Sequence, residues 1–240
     1  MVKNSLSLSE KSYSKEKRKL LKNTSSEQIS KNPFVYMDRQ LVSTVLTRIK
    51  IFEKILKVQG SIIECGVYQA NSLFIYAHLS SILEPSNFNR KIIGFDTFEG
   101  FRAISKKDRK DINEKDFSNT NYNHIKKWVK MFDKNRSIGH INKIELVKGN
   151  AIKTIPRYIK ENPHLIVSLL YLDFDIYEPT LTALEHFLPL VPKGGIVGFD
   201  ELNSQKWEGE TIALKKLIKL NDIKLKKFYF DPWVSFYEVQ

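Results

Sequence analysis

The 240-residue sequence predicts an α/β fold in which helices cover both faces of a mostly parallel, seven-stranded sheet. Three features support this prediction. Short apolar runs alternate with segments of helical periodicity from about residue 38 onward. The run 165–173 is almost continuously apolar, as expected for a strand that is buried on both faces. The final segment, 226–238, instead carries two β-rich runs on either side of Asp231 and Pro232, which predicts a C-terminal antiparallel hairpin across a short turn.

The regular part of the sequence begins with a helix predicted over about 38–58. Its apolar residues recur at spacings of three and four, and Gly60 lies where such a helix ends. The β-rich run 61–66 stops at a glycine and predicts the first strand. Helical periodicity then resumes over about 70–83 and ends before Pro85.

The same alternation continues along the remaining chain. Each further strand is predicted from a short apolar run that ends in an acid or a glycine, and these runs are 90–96, 144–149, 165–173 and 195–200. Helices are predicted between and after them, over about 121–135, 151–161, 178–189 and 209–220. Five β/α units closed by a hairpin are typical of the class I methyltransferase Rossmann-like fold rather than of a plain dehydrogenase.

Two polar segments depart from this alternation. Residues 1–35 form a basic N-terminal tail ahead of a main domain over 36–240. We interpret this tail as mobile with some helix, although a lid over an anionic substrate or a nucleic-acid arm would have the same composition. The insertion 101–143 carries 12 Lys and Arg against 5 Asp and Glu and follows a predicted strand. Its position suits an active-site cover, and solvated decoration is the alternative.

The overall composition excludes several classes of protein. A net charge of +12, with a pI near 9.5, favours anionic partners but does not choose among nucleic acid, phosphorylated metabolites and anionic membrane. The single cysteine, Cys65, excludes an intrachain disulfide framework and a cysteine-based zinc site. No apolar run approaches 18 residues, and the N-terminus lacks an apolar signal segment. We therefore expect a cytoplasmic protein with no membrane-spanning helix.

Acidic residues cluster at the predicted carboxyl ends of the strands, which is where open α/β sheets bind ligands. Glu64 and Asp96 lie at the ends of the first and second strands, and Asp173, Asp200 and Glu201 lie at the ends of the fourth and fifth. Because neighbouring strands would bring the last three together, their oxygen atoms suit Mg²⁺, Mn²⁺ or Ca²⁺ rather than zinc. Strand-end acids that are simply hydrogen-bonded would give the same pattern.

The loop after the first strand, 64–72, does not carry the G-x-G-x-x-G pattern, so it offers no glycine cradle for a dinucleotide. Its single glycine, Gly66, still allows close approach of a small cofactor such as S-adenosylmethionine (SAM). Glu64 is placed to face the sulfonium and amino end of SAM, and Asp96 suits its ribose hydroxyls. A tight turn capped by a side chain is the alternative at each loop, with Asn71 or Ser72 as the cap in the first.

These stretches resemble the macrocin O-methyltransferase (TylF/MycF) family of SAM-dependent, metal-dependent sugar O-methyltransferases. The matching segments are IIECGVYQANS, KIIGFDTFEGF, ELVKGNAIKTIP, LLYLDFDIYEPTLTAL and LVPKGGIVGFDEL, which follow the family's order across about 60–205. The resemblance implies a class I Rossmann-like fold, SAM as methyl donor, Mg²⁺ or a similar cation, and a homo-oligomer, either a dimer or a tetramer.

The resemblance also implies roles for individual residues. The implied cofactor contacts follow the first three strands and are Glu64, Gly66, Tyr68, Ser72, Asp96, Thr97, Asn150 and Ala151, of which the last two lie on the adenine side. The implied metal ligands are Asp173, Asp200 and Glu201. Asp173 is also the implied proton acceptor, with Asp175 as the second candidate. The chain departs from the usual family pattern with Ala70-Asn71 for Gly-Gly, Asn150 for Asp and Glu201 for Asp.

The sequence therefore predicts an O-methyltransferase that acts on a sugar hydroxyl. A nucleotide-activated sugar is expected because the basic tail and insertion suit a diphosphate, and surface polysaccharide or glycoside biosynthesis in a bacterium is the expected setting. Two alternatives stay open. The first is another small acceptor, such as a polyketide, a phenol or an amine. The second is a basic nucleic-acid-binding protein, against which the sequence shows no RNA-binding motif.

Overall fold

The computed structural model describes residues 7–240. The predicted basic tail includes the first six residues, Lys3 among them, and these lie outside the described part. The chain divides into two compact units, a first that ends at Val42 and a second over Ser43–Gln240.

The first unit is built from short helices. They are α1 (Leu8–Lys22), α2 (Ser26–Lys31) and α3 (Pro33–Tyr36), followed by the start of α4 (Arg39–Ile55). Helix α2 begins with a capping box, in which Ser25 and Gln28 satisfy each other's backbone N–H groups. Lys17 and the Tyr13 hydroxyl both approach Asp38 Oδ1 at 2.6 Å. Much of the predicted tail is therefore helical.

The second unit contains a seven-stranded sheet within residues 43–240. The strands are β1 (Ser61–Cys65), β2 (Ile92–Asp96), β3 (Ile144–Lys148), β4 (Val167–Leu172), β5 (Ile196–Phe199), β6 (Lys226–Lys227) and β7 (Ser235–Glu238). Their order is β3-β2-β1-β4-β5-β7-β6, in which β1 to β5 run parallel and β7 pairs antiparallel with both β5 and β6. This topology confirms the predicted fold class.

Helices follow the strands in the predicted order. They are α5 (Asn71–Leu83), α6 (Tyr122–Asp133), α7 (Ala151–Glu161), α8 (Tyr177–Phe187) and α9 (Glu208–Leu217), with 3₁₀ turns at Leu188–Leu190 and Leu220–Asp222. Successive strand residues point to opposite faces. Ile62 therefore packs with α4, α5 and α6, while Ile63 packs with α7, α8 and α9. The two apolar clusters enclose the sheet and leave its carboxyl edge to the loops.

The hairpin differs from its prediction. Strand β6 is only two residues long, and a wide loop over 228–234 replaces the expected short turn. Asp231 organises this loop, because its Oδ1 accepts hydrogen bonds from the N–H groups of Trp233 (3.0 Å) and Val234 (3.3 Å). The Thr47 hydroxyl donates to Asp231 Oδ2 at 2.5 Å. A buried side chain thus takes the place of further strand pairing.

None of the helices within residues 7–240 combines the length and the apolar character that a membrane crossing requires.

Candidate active site

Asp96 joins the loops that follow β1, β2 and β3. Its Oδ2 accepts hydrogen bonds from the N–H groups of Val67 and Tyr68, both at 2.8 Å, and its Oδ1 accepts one from Phe98 N–H at 2.6 Å. Its backbone carbonyl accepts from Gly149 N–H at 2.9 Å. A carboxylate oxygen accepts up to two bonds, so Oδ1 retains a position for a ligand hydroxyl. The structure thereby brings the predicted cofactor loops together.

Gly66 allows the ends of β1 and β4 to touch. Its φ is +96°, and a Cβ at this position would lie 1.9 Å from the backbone oxygen of Asp173. The Asp173 N–H in turn donates to the Cys65 carbonyl at 2.7 Å. Packing of two strands alone therefore demands a glycine here. The role of Gly66 in approaching a cofactor stays a prediction.

Helix α5 begins without a side-chain cap. Its N-cap residue is Ala70, with a left-handed φ of +67°, and neither Asn71 nor Ser72 caps it. The Ser72 hydroxyl oxygen instead accepts a hydrogen bond from Arg48 Nε at 3.1 Å. The first N–H groups of α5 thus receive no side-chain cap, and such groups bind anions.

Three other predicted cofactor residues have a place in the local structure. The Thr97 hydroxyl donates to the Gly100 carbonyl at 2.5 Å and closes the turn after β2. Asn150 caps α7 by accepting from Ile152 N–H at 3.1 Å, and Ala151 is the buried first residue of that helix. Their contacts with a cofactor stay predictions.

Glu64 is buried in β1, and its Oε2 has no hydrogen-bond partner among residues 7–240. Burial raises its pKa to about 8, since the opposing charge of Arg48 only partly offsets burial and the charges of Asp200 and Asp96 add to it. A buried carboxyl group without a partner is costly. This position therefore fits a cationic ligand group.

Asp200 lies at the end of β5 and is held from two sides. The Tyr171 hydroxyl donates to its Oδ1 at 2.5 Å, and Arg48 Nη2 donates to the same oxygen at 3.2 Å. Because both bonds end on Oδ1, Oδ2 of Asp200 remains available to bind a ligand.

The other acids at this edge form an electrostatically strained group. Burial raises the pKa of Asp173 well above its ordinary value, and the charges of Asp200 and Asp175 raise it further. Asp175 has a left-handed φ of +63°, and its pKa is raised by burial, Glu201 and Asp200. Burial and Asp200 raise the pKa of Glu201 to about 7, and burial raises that of Glu210 as well. Together with Asp200, these residues form what we call the acid cluster: Asp173, Asp175, Asp200, Glu201 and Glu210.

The acid cluster is short of positive charge. Glu201 Oε2 and Glu210 Oε1 are buried without hydrogen-bond partners among the described residues. Such a surplus of oxygen donors fits a hard divalent cation. Among residues 7–240, however, no group of three histidine, cysteine or acidic side chains is arranged so that it could hold a metal ion. The side chains of Asp173, Asp200 and Glu201 would have to turn toward one point, and their role as metal ligands stays a prediction.

Comparison with known proteins identifies the family. The family model described as Macrocin-O-methyltransferase (TylF) matches residues 40–238. This chain belongs to the macrocin O-methyltransferase family. It is accordingly an O-methyltransferase, which confirms the prediction from the motifs.

Solved structures agree with this assignment. Two structures of CalS11 are each 31% identical to the chain and cover 97% of it, with TM-scores of 0.91 and 0.85. The matches cover 93% and 95% of the two CalS11 chains. CalS11 is described as a calicheamicin methyltransferase and as a TDP-rhamnose 3′-O-methyltransferase. The O-methyltransferase NovP is 16% identical, with a TM-score of 0.68 and coverage of 83% and 80% of the two chains, and shows the fold alone. No curated protein matches the chain in sequence.

The sequence analysis missed Arg48 in this member of the macrocin O-methyltransferase family. The residue lies on α4, is 3% exposed and places its Cζ 4.1 Å from the centroid of the Tyr171 ring. The available signal was its spacing, since Arg48 falls on the same helical stripe as Ile51, Phe52 and Ile55, all fully buried. An arginine on an apolar stripe requires a buried partner.

Glu210 was also missed. It lies on α9, is fully buried and accepts a hydrogen bond from Glu201 N–H at 3.2 Å. No signal in the sequence distinguished it from the other acids near the start of that predicted helix.

The insertion 101–143 of this O-methyltransferase is attached to the carboxyl edge of the sheet. Asp108 Oδ1 accepts from Tyr177 N–H at 2.8 Å, and Arg109 Nη1 donates to the Gln205 carbonyl at 3.3 Å. Four aromatic residues form a further connection, with ring centroids 5.3–6.0 Å apart along the chain of contacts. This rim aromatic cluster consists of Tyr68, Phe101, Phe117 and Trp207.

Proposed function

We propose that this protein transfers a methyl group from SAM to a sugar hydroxyl, with a nucleotide-activated sugar as acceptor and with a divalent cation bound at the acid cluster. The observation that carries the proposal is the meeting, at one edge of the sheet, of an unpaired buried carboxyl group, Glu64, with the cation-deficient acid cluster. The printed description of CalS11 as a TDP-rhamnose 3′-O-methyltransferase supports the choice of acceptor.

The loops after β1, β2 and β3 form the cofactor side of the proposed site. Glu64 Oε2 would accept a hydrogen bond from the amino group of SAM, and the uncapped start of α5 would bind its carboxylate. The open position on Asp96 Oδ1 accepts a ribose hydroxyl, while Asn150 and Ala151 border the adenine. SAM supplies a methyl group on a sulfonium, which is electrophilic. The contribution of the protein is to hold that methyl group in line with the acceptor oxygen.

The acid cluster forms the acceptor side. Asp173 accepts the proton of the sugar hydroxyl, and its backbone bond to Cys65 holds it beside the cofactor loop. Asp175, which comes two residues later, is the alternative proton acceptor. Asp173, Asp200 and Glu201 would hold the cation. A bound Mg²⁺, or Mn²⁺ or Ca²⁺ in its place, supplies Lewis acidity that lowers the pKa of the sugar hydroxyl.

The insertion 101–143 acts as the cover of the site in this proposal. Its attachment through Asp108 and Phe117 supports this role. Lys107 Nζ lies 3.7 Å from the Tyr177 ring centroid, and Lys206 Nζ lies 4.4 Å from that of Trp207. Cations at this edge suit the diphosphate of a nucleotide sugar. Surface polysaccharide or glycoside synthesis is the proposed setting, and a homodimer or homotetramer is the proposed assembly.

Thermal unfolding with SAM, in the presence of Mg²⁺ or of EDTA, tests the cofactor. A ligand at 100 times its Kd adds about 2.7 kcal/mol, which raises Tm by about 5–10 °C at this size. The absence of a shift at millimolar SAM would refute the proposal. Methyl transfer from labelled SAM is then measured with TDP-rhamnose and with a phenol and an amine. Transfer to the phenol or amine alone would refute the sugar acceptor.

A further inference from the structure

We propose that Arg48 is a positioning residue that couples the cofactor loop to the acid cluster. One guanidinium ties Ser72, in the first turn of α5, to Asp200, at the end of β5. The inference rests on the proposed function, because it concerns how the two sides of that site communicate.

The geometry of the guanidinium makes the connection rigid. Nε reaches Ser72 Oγ at 3.1 Å and Nη2 reaches Asp200 Oδ1 at 3.2 Å. These nitrogens belong to one planar group, so a displacement of either partner moves the donor that faces the other. The Tyr171 ring lies under the guanidinium, and the Tyr171 hydroxyl binds the same oxygen of Asp200. Arg48 is 3% exposed, so bulk solvent reaches little of its side chain.

The surroundings of Arg48 are incompletely satisfied. Arg48 Nη1, Glu64 Oε2 and Tyr76 Oη are all buried without hydrogen-bond partners among residues 7–240. Arg48 acts electrostatically on both Glu64 and Tyr76. A stability device would pair these groups, since each unpaired group costs free energy. A ligand bound at Glu64 therefore meets an arginine that already holds Asp200.

The proposal predicts that Asp200 affects cofactor affinity although it is not a predicted cofactor contact. The affinity for S-adenosylhomocysteine is measured by calorimetry in EDTA, so that no metal is required. Asp200→Ala should weaken binding about fivefold, the value of one hydrogen bond of about 1 kcal/mol. Asp200→Asn keeps an oxygen for Arg48 but loses the charge, so it should weaken binding less than Asp200→Ala does. Equal affinity of Asp200→Ala and wild type would overturn the proposal.

A double-mutant cycle tests whether the effect passes through Arg48. Arg48→Lys should weaken binding to a similar extent, because an ammonium group cannot hold both partners in a fixed fork. The variant with both Arg48→Lys and Asp200→Ala should bind no worse than Arg48→Lys alone. If the two substitutions instead weaken binding independently, so that their fold-changes in Kd multiply in the double variant, the coupling is overturned.

Arg90→Lys is the matched control, since Arg90 is also 3% exposed but bonds to Gly60 and Ser168 at the opposite edge of the sheet. It should leave the affinity unchanged. An equal loss in Arg90→Lys would show a general effect of destabilisation and would overturn the proposal. A wild-type protein that binds no S-adenosylhomocysteine refutes the proposed function itself. A wild-type protein that binds it, with variants that bind equally well, refutes the coupling alone.

Discussion

Arg48 and Arg90 are equally buried, at 3% exposure each, yet they serve opposite edges of the sheet. Arg90 lies at the amino edge, where its guanidinium is surrounded by acceptors: the carbonyls of Ile55, Val58 and Gly60, the Ser168 hydroxyl and the Glu84 carboxylate. Arg48 lies at the carboxyl edge and bonds only to Ser72 and Asp200 among the described residues, with Nη1 left unpaired.

The difference separates stability from function. At the amino edge, Nη1 and Nη2 of Arg90 both donate hydrogen bonds, while its Nε lies 2.7 Å from Glu84 Oε1 without hydrogen-bond geometry. At the carboxyl edge, buried carboxyl groups raise one another's pKa values and lack partners. Natural proteins depart from full polar satisfaction chiefly where a ligand completes the arrangement. The unsatisfied carboxyl edge is therefore the proposed working edge of this O-methyltransferase.

The largest expected effect comes from Asp173→Asn. Loss of the proton acceptor should lower kcat by about 10³-fold or more, because general base catalysis contributes about 10²–10⁴-fold and a metal ligand is weakened as well. Binding of S-adenosylhomocysteine, measured by calorimetry, should persist. Asp222→Asn, at an exposed acid, is the control for methyl transfer. Near-normal turnover of Asp173→Asn would show that Asp173 is not the proton acceptor at the carboxyl edge.

Arg90→Met should destabilise the protein at the amino edge of the sheet without changing the proposed site at the carboxyl edge. Removing the arginine leaves Glu84 largely buried and without its ion-pair partner, so the free energy of unfolding should fall by about 3 kcal/mol. Urea unfolding measures this loss, and calorimetry should show unchanged affinity for S-adenosylhomocysteine. A loss of affinity without a loss of stability would reverse the comparison between the two edges.

Glu64→Gln sharpens the comparison through pH. The pKa of Glu64 is about 8 in the folded state, above its ordinary value, so the folded protein binds the proton more tightly. Wild-type stability should therefore fall as pH rises from about 5 to about 8, at up to about 1.4 kcal/mol per pH unit for this group. Glutamine removes this contribution and should lessen the fall by about 3 kcal/mol in total.

Unfolding of the wild type and Glu64→Gln at pH 5, 6, 7 and 8 measures this slope. Glu53→Gln, at an exposed position on α4, is the control and should keep the wild-type slope. Identical slopes for Glu64→Gln and the wild type would show that burial of Glu64 carries no cost.

The smallest effect is expected for Phe117→Ala, which removes one ring of the rim aromatic cluster. The KM for the acceptor should rise about fivefold, since aromatic contacts of this kind contribute about 1 kcal/mol, while Tm changes little because Phe117 is 42% exposed. Trp128→Ala is the control within the insertion, because Trp128 is exposed on α6 outside this cluster. Equal KM values for Phe117→Ala and the wild type would show that Phe117 of the insertion does not contribute to binding of the acceptor.

Local pattern determined most of the secondary structure. Helix α7 matches its predicted bounds, 151–161, because apolar spacing and the Asn150 cap are features of adjacent residues. Strand β4 begins at Val167 rather than at 165, since Leu165 and Ile166 are apolar but lie outside the ladder. The strand-end acids were also visible from the sequence, because parallel strands all place their carboxyl ends at one edge.

Only the tertiary structure decided how those acids are held. The sequence by itself determined the order of strands and helices and the family. It also determined that Glu64, Asp96, Asp173 and Asp200 lie at the carboxyl ends of the strands. It did not show that Arg48 reaches Asp200, 152 positions away. Nor did it show that Gly66 is required by the backbone of Asp173. Periodicity and capping act between neighbours in the chain, whereas a buried ion pair or a close backbone approach depends on which distant segments the folded core brings together.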